Sequence, residues 1–133
     1  MIQSDFNSAK IAEFLLHIKA IKLQPKDPFT WASGWKSPIY CDNRKILSHP
    51  QIRAEVRDQF INSIDNLANK PTAVAGVATG GIAIGALVAE KLNLPFCYVR
   101  SSAKAHGLTN QIEGGVKKDE KVIVIEVLIS SGK

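Results

Sequence analysis

Cysteine is scarce in this 133-residue chain: Cys41 and Cys97 stand far apart and without CxxC spacing. Two such residues exclude a disulfide framework and a thiolate zinc site, and they suit a reducing compartment. Aromatic residues are few, at 7%, and methionine occurs once. Long hydrophobic runs are missing as well. Stretches such as residues 82–89 are broken by Gly85 and fall far short of the ~20 residues a bilayer-spanning helix needs. The amino terminus, MIQSDFNSAK, has no apolar core after a basic start, so no secretory leader is expected. What remains is ordinary globular material, 45% hydrophobic and 22% charged. That composition excludes collagen-like, coiled-coil and disordered classes, and the length suits a single domain with a real core. Seventeen basic against twelve acidic residues leave a net charge of +5. The surplus fits an anionic partner without choosing between nucleic acid, a membrane surface and a phosphorylated small molecule. A soluble, cytoplasmic domain is the expectation.

No repeat, low-complexity segment or linker divides the chain. Ile11, Phe14, Leu15 and Ile18 recur at helical spacing after Ser8, so a helix over residues 9–20 with Ser8 as N-cap is expected. Residues 28–46 carry the turn signals Ser33-Gly34 and Ser37-Pro38 between short β-prone pieces. A second helix is traced by Ile52, Val56, Phe60, Ile64 and Leu67, starting near Pro50 and stopping by Lys70-Pro71. The second half changes character. Residues 73–78 read as a strand, 82–92 as a helix and 96–100 as another strand, a βαβ unit that demands a parallel sheet with a right-handed crossover. A polar loop over 101–113 follows. Residues 121–126 form a third strand, so rich in Val and Ile that both its faces are expected to be covered. The chain ends at Lys133 just after Ser130-Ser131-Gly132, where α/β sheets usually place a helix, so the fold looks cut off.

In open α/β sheets ligands collect at the carboxyl ends of the strands, and three loops here end there. The first, residues 76–81, has Gly80-Gly81 at a helix start, where exposed N–H groups and the helix dipole suit an anion. It matches neither a Walker A loop nor GxGxxG spacing, and a plain tight turn would look the same. The second, residues 100–107, places Arg100, Lys104 and His106 within seven residues. Arg offers bidentate phosphate contacts, Lys a point charge, and His a donor or proton shuttle. A solvated basic loop is the competing reading. The third ends the Val/Ile strand with Glu126 and continues to Ser130-Ser131-Gly132, whose hydroxyls and N–H groups suit a phosphate. Here a satisfied strand-end carboxylate is the alternative. His17 and His49 suit helix-face or capping roles, while Trp31 and Trp35 suit either packing or stacking on a base.

Taken together, these segments resemble a known family. Phe29-Thr30-Trp31-Ala32-Ser33-Gly34-Trp35-Lys36-Ser37-Pro38-Ile39-Tyr40-Cys41-Asp42-Asn43-Arg44 resembles the amino-terminal signature of orotate phosphoribosyltransferases. Residues 76–81 are similar to their pyrophosphate loop. Tyr98-Val99-Arg100 with Lys104, His106, Gly107 and Asn110-Gln111-Ile112-Glu113-Gly114 resembles their catalytic loop. Residues 122–132 resemble the phosphoribosyl diphosphate (PRPP) signature of type I phosphoribosyltransferases. The likeness runs in order through residues 9–132.

The resemblance implies an α/β fold, a parallel sheet flanked by helices with an N-terminal hood: one domain, 1–47 forming the first helix and hood and 48–133 an incomplete PRPP-binding core. It implies a glycosyltransferase of the pentosyl class that joins orotate to the ribose of PRPP and releases pyrophosphate in pyrimidine (UMP) synthesis. By the same implication Lys104, His106 and Glu126 are catalytic. PRPP would be bound by Thr79, Gly80, Arg100, Lys104, His106, Glu126, Val127, Leu128, Ile129, Ser130, Ser131, Gly132 and Lys133. Orotate would meet Ser130, Lys36 and Tyr40. Mg²⁺ would be held through PRPP rather than by the protein directly, and the enzyme would be a homodimer with the catalytic loop acting across the interface. No nucleic acid or membrane partner is implied; a nucleic-acid module lacks both a motif and a basic helix face here. The chain also departs from the family. Val127 stands where a second acid is expected, Ser101 where a second basic residue is, and the family's orotate-recognising Arg falls beyond Lys133. Little turnover is therefore expected of the chain as written. A phosphoribosyltransferase using another base, or a non-catalytic PRPP- or nucleotide-binding protein of this fold, are the alternative readings.

Overall fold

The computed structural model describes residues 5–31, 33–102 and 110–129. They divide into two units, Met1–Arg53 with Leu128–Lys133 and Ala54–Val127.

The first unit opens with helix α1, Asp5–His17. It starts a turn earlier than the spacing predicts, because the Asp5-Phe6-Asn7 stretch holds no breaker, and Ser8 lies inside the helix rather than capping it. It also ends earlier. Lys19 takes a left-handed φ of 55°, while Ala20 N–H donates back to the Leu15 carbonyl at 2.8 Å, the pattern of a left-handed helix stop. Two antiparallel pairs follow: β1 (Ile21–Leu23) on β4 (Ile39–Cys41), and β2 (Phe29–Thr30) on β3 (Lys36–Ser37). The β2–β3 turn is closed by the Trp31 N–H on the Trp35 carbonyl, with Gly34 at φ 84°, a geometry that favours glycine. Trp31 Nε1 donates to the Ile39 carbonyl at 3.2 Å and the Phe29 and Tyr40 rings meet at 5.4 Å. Trp31 thus packs within the hairpins, whereas Trp35 is exposed. A 3-10 helix, Asn43–Ser48, buries Ile46, and Ile18 and Ala20 of the same unit are buried as well. Lys45 Nζ ties it to the Lys19 carbonyl at 3.1 Å.

Helix α2, Pro50–Asp65, leads into the second unit. Its start matches the sequence expectation, its end at Asp65 falls short of the Leu67 expected to continue its face, and His49 precedes it, its carbonyl accepting from Arg53 N–H. The sheet has the order β7-β6-β5-β8, with β5 (Ala73–Val77), β6 (Phe96–Val99), β7 (Ile112–Glu113) and β8 (Val122–Ile125). Strand β5 is central and parallel to both β6 and β8, as the βαβ reading requires. Between β5 and β6 runs α3, Gly80–Leu92, stopped by Asn93 in the left-handed region. Val74, Ile84, Val88 and Ile125 are the largest fully buried side chains, placing the core between α3 and the sheet.

The expected parallel sheet is there in β6, β5 and β8, and β7 adds a fourth strand to it, paired antiparallel with β6. One expectation is corrected. Strand β8 is not covered on both faces: Ile125 is 2% exposed, but Val124 is 58% exposed. It is the outer strand of its sheet among the described residues, and α3 packs against it.

Candidate active site

Parallel pairing puts the carboxyl ends of β5, β6 and β8 at one edge of the sheet. Val77 stands beside Val99, and Gly76 beside Ile125. Each strand therefore delivers its following loop to the same place.

From β5 the chain passes through Ala78 and Thr79 into α3. Thr79 takes the position before the helix, and its side chain makes no capping hydrogen bond. The first turn of α3 thus presents backbone N–H groups with the positive end of the helix dipole, the arrangement that suits an anion. Glycine is needed here for close approach. A Cβ on Gly81 would lie 2.4 Å from the Ile125 carbonyl oxygen, and one on Gly76 would lie 2.6 Å from the Gly81 carbonyl oxygen. Any side chain at either position would push α3 away from β5 and β8.

From β8 come Glu126 and Val127. The Glu126 Oε1 accepts from the Val127 N–H at 2.7 Å, so the carboxylate is oriented by the amide of the next residue. That oxygen is 4.0 Å from the place a Gly80 Cβ would occupy, and Val127 Cγ2 is 2.8 Å from it. Acid and helix start thus share one space, with the valine methyl against the glycine.

From β6 comes Arg100. Its strand end is joined to β5 by the Ala78 N–H on the Val99 carbonyl at 2.8 Å, and Arg100 N–H donates to the Gln111 carbonyl at 2.8 Å. Its Nε is buried and makes no hydrogen bond among the described residues. A buried cationic donor of this kind calls for an acceptor, and a phosphate oxygen is a good one.

The second unit therefore gathers Thr79, Gly80, Arg100, Glu126 and Val127 from the residues singled out in the sequence. Lys36 on β3 and Tyr40 on β4 belong to the first unit, both exposed, as do the exposed Leu128 and Ile129. Lys104, His106, Ser130, Ser131, Gly132 and Lys133 lie outside the described residues. Sequence reasoning missed the part played by Gln111 at the root of the Arg100 loop. The β-branched Ile112 followed by Gly114-Gly115 was the available strand-and-turn signal.

A family model described as phosphoribosyl transferase domain matches residues 42–133. The chain belongs to this phosphoribosyltransferase family. It is 61% identical over 122 residues to the orotate phosphoribosyltransferase of Porphyromonas gingivalis, covering 92% of this chain and 58% of that protein. To the orotate phosphoribosyltransferase of Bacillus pumilus it is 54% identical over 123 residues, with the same shares covered. The chain thus spans somewhat over half the length of these curated relatives. Among solved structures, orotate phosphoribosyltransferase from Aeropyrum pernix superimposes with a TM-score of 0.65 at 30% identity, over 86% of this chain and 62% of that one. Leishmania donovani UMP synthase gives a TM-score of 0.71 at 28% identity, over 88% of this chain and 24% of that one. The α/β phosphoribosyltransferase fold expected from the sequence is therefore the fold of this chain. Among the described residues no helix is long and apolar enough to cross a membrane.

Proposed function

We propose that this chain serves an orotate phosphoribosyltransferase, moving the 5-phosphoribosyl group of PRPP to orotate to give orotidine 5′-phosphate and pyrophosphate in pyrimidine synthesis. The observation that carries the reading is the meeting of an acid and an uncapped helix start at one edge of the sheet, the edge from which the basic catalytic loop sets out. Glu126 Oε1 lies 4.0 Å from the Gly80 Cβ position, and Arg100 follows the end of β6, with β5 between it and the β8 end. In the reaction the bond from ribose C1 to the diphosphate oxygen breaks as the bond from C1 to orotate N1 forms, and the N1 proton leaves to solvent. Positive charge grows on the sugar ring and negative charge on the departing diphosphate, so a site that stabilises both lowers the barrier.

In this reading Glu126 accepts hydrogen bonds from the ribose hydroxyls and faces the ring charge. Thr79, Gly80 and Arg100, with Lys104 and His106, hold the diphosphate. Val127, Leu128, Ile129 and the Ser130-Ser131-Gly132-Lys133 stretch take the ribose 5-phosphate, while Lys36, Tyr40 and Ser130 meet orotate. Residues 1–47 act as hood and 48–133 as PRPP core of one domain, in a cytoplasmic homodimer whose catalytic loop crosses the interface. Mg²⁺ fits as a passenger of the substrate. Glu126 supplies one carboxylate, fewer donors than a resident cation wants, so Mg²⁺ would be held chiefly through the oxygens of PRPP. Bound there, the metal neutralises charge on the leaving group.

Calorimetric titration with Mg-PRPP, followed by orotate with turnover read from orotate absorbance, tests the reading. Mg-PRPP binding that falls about ten-fold or more in Arg100→Ala is expected. A chain that binds a DNA oligomer tightly and PRPP not at all would refute it. Val127 favours one second reading, a PRPP-binding protein without turnover, because a valine methyl offers the ribose hydroxyls no acceptor. Val127→Asp should then tighten PRPP binding about five-fold or more. PRPP binding without product, before and after that change, selects the second reading.

A further inference from the structure

The geometry points to Gln111 as a positioning residue for Arg100, an inference that rests on the diphosphate-binding role proposed above. Strands β6 and β7 pair with Tyr98 against Glu113 and Val99 against Ile112. The pairing runs one step further, to Arg100 and Gln111. There the Arg100 N–H donates to the Gln111 carbonyl at 2.8 Å. The return bond comes from a side chain: Gln111 Nε2 donates to the Arg100 carbonyl at 3.1 Å. One residue thus holds both main-chain polar groups of Arg100.

The consequence lies in direction. Fixing the N–H and the carbonyl of a residue fixes its Cα–Cβ vector, and with it the cone its side chain explores. Arg100 follows the last residue of β6 at the sheet edge where the site lies, and its buried Nε makes no hydrogen bond among the described residues. Ladder ends open most readily, so an unpinned Arg100 would spread its guanidinium over many directions. Gln111 itself is exposed, and its amide fills no core. Its contribution is to the orientation of Arg100 toward an anion.

The test is titration of the whole chain with magnesium pyrophosphate and, separately, with ribose 5-phosphate. The variants are Gln111→Ala, the isosteric Gln111→Glu that loses the donor, Arg100→Ala, and the Arg100→Ala/Gln111→Ala double. Both Gln111 variants should weaken pyrophosphate about three- to ten-fold while leaving ribose 5-phosphate within about two-fold. In the Arg100→Ala background the Gln111 change should add less than about 1.5-fold, because its effect passes through Arg100. Equal weakening of both ligands, full additivity in the double variant, unchanged pyrophosphate binding, or a Gln111→Ala chain that fails to fold would each overturn the assignment. A wild-type chain that binds no pyrophosphate would instead overturn the diphosphate reading itself, and this inference with it.

Discussion

Cys97 and Cys41 show how one residue type takes on two chemistries within a single chain. Cys97 sits on β6 at 2% exposure, whereas Cys41, at the end of β4, is half-buried. Burial pushes the Cys97 thiol up, and the negative charge of Glu120 adds to the shift. A raised thiol is a poor nucleophile at neutral pH. A chromogenic disulfide reagent at pH 7.5 should therefore titrate Cys41 promptly and Cys97 only as the chain unfolds; equal rates would contradict the burial. The sign of the pH effect follows. In the unfolded chain the thiol ionises near its ordinary value of about 8.5, so the stability from keeping Cys97 neutral is whole below that value. It is lost as pH rises through the raised folded value. Urea unfolding between pH 8 and 10 should show a smaller fall in Cys97→Ala than in the wild type.

At the scale of elements, contact between α3 and the sheet depends on glycines where backbone meets backbone. Gly81→Ala would drive a Cβ to 2.4 Å from the Ile125 carbonyl oxygen, which no rotamer change can relieve. We expect a loss of about 1–3 kcal/mol or more, seen as a lower urea midpoint. Gly115 has open space at its Cβ position, so Gly115→Ala should leave stability unchanged or raise it by up to about 1 kcal/mol. Strand β8 supplies a second contrast, between its two faces. Ile125→Ala should cost about 2–5 kcal/mol through the cavity it leaves, whereas Val124→Thr on the open face should stay within about 0.5 kcal/mol. If both changes cost the same, the alternation of β8 is misread. The sequence pattern alone implied two covered faces and misled, because Val and Ile suit an open strand face chemically as well as a closed one.

For the whole molecule, the surplus of five positive charges favours anionic substrates at a distance, and its effect on their binding should weaken as salt screens it. The proposed homodimer makes a sharper demand. If Lys104 of one subunit serves the Glu126 site of the other, then in an active form extended with the carboxy-terminal region of a related enzyme, Lys104→Ala and Glu126→Gln subunits are each nearly inactive alone. Mixed, they form heterodimers with one intact site, and random pairing returns about a quarter of the activity of the parent enzyme. This is read by turnover after co-refolding of the two variants. No recovery on mixing would mean that the loop acts within its own subunit.

The sequence by itself determined the second helix and its start at Pro50, the order strand, helix, strand after it, and the parallel pairing of β5 and β6. Those features rest on local periodicity and on the rule that a crossover helix joins parallel strands, and both are written in residues a few positions apart. It also marked Thr79 and Gly80 in the turn after one strand, and Arg100 and Glu126 as the last residues of two others, which end one residue earlier in the structure. What the chain alone left open was decided by contacts between distant residues. Lys45 Nζ holds the Lys19 carbonyl at the left-handed turn that ends α1, and β7 pairs antiparallel with β6. The Gln111 bond to Arg100 spans a loop whose ends no local propensity brings together. Likewise the contacts of Gly81 with Ile125 and of Gly80 with Val127 join residues more than forty positions apart. Such pairings depend on strand register, and register is set when the apolar faces of all the strands are buried at once.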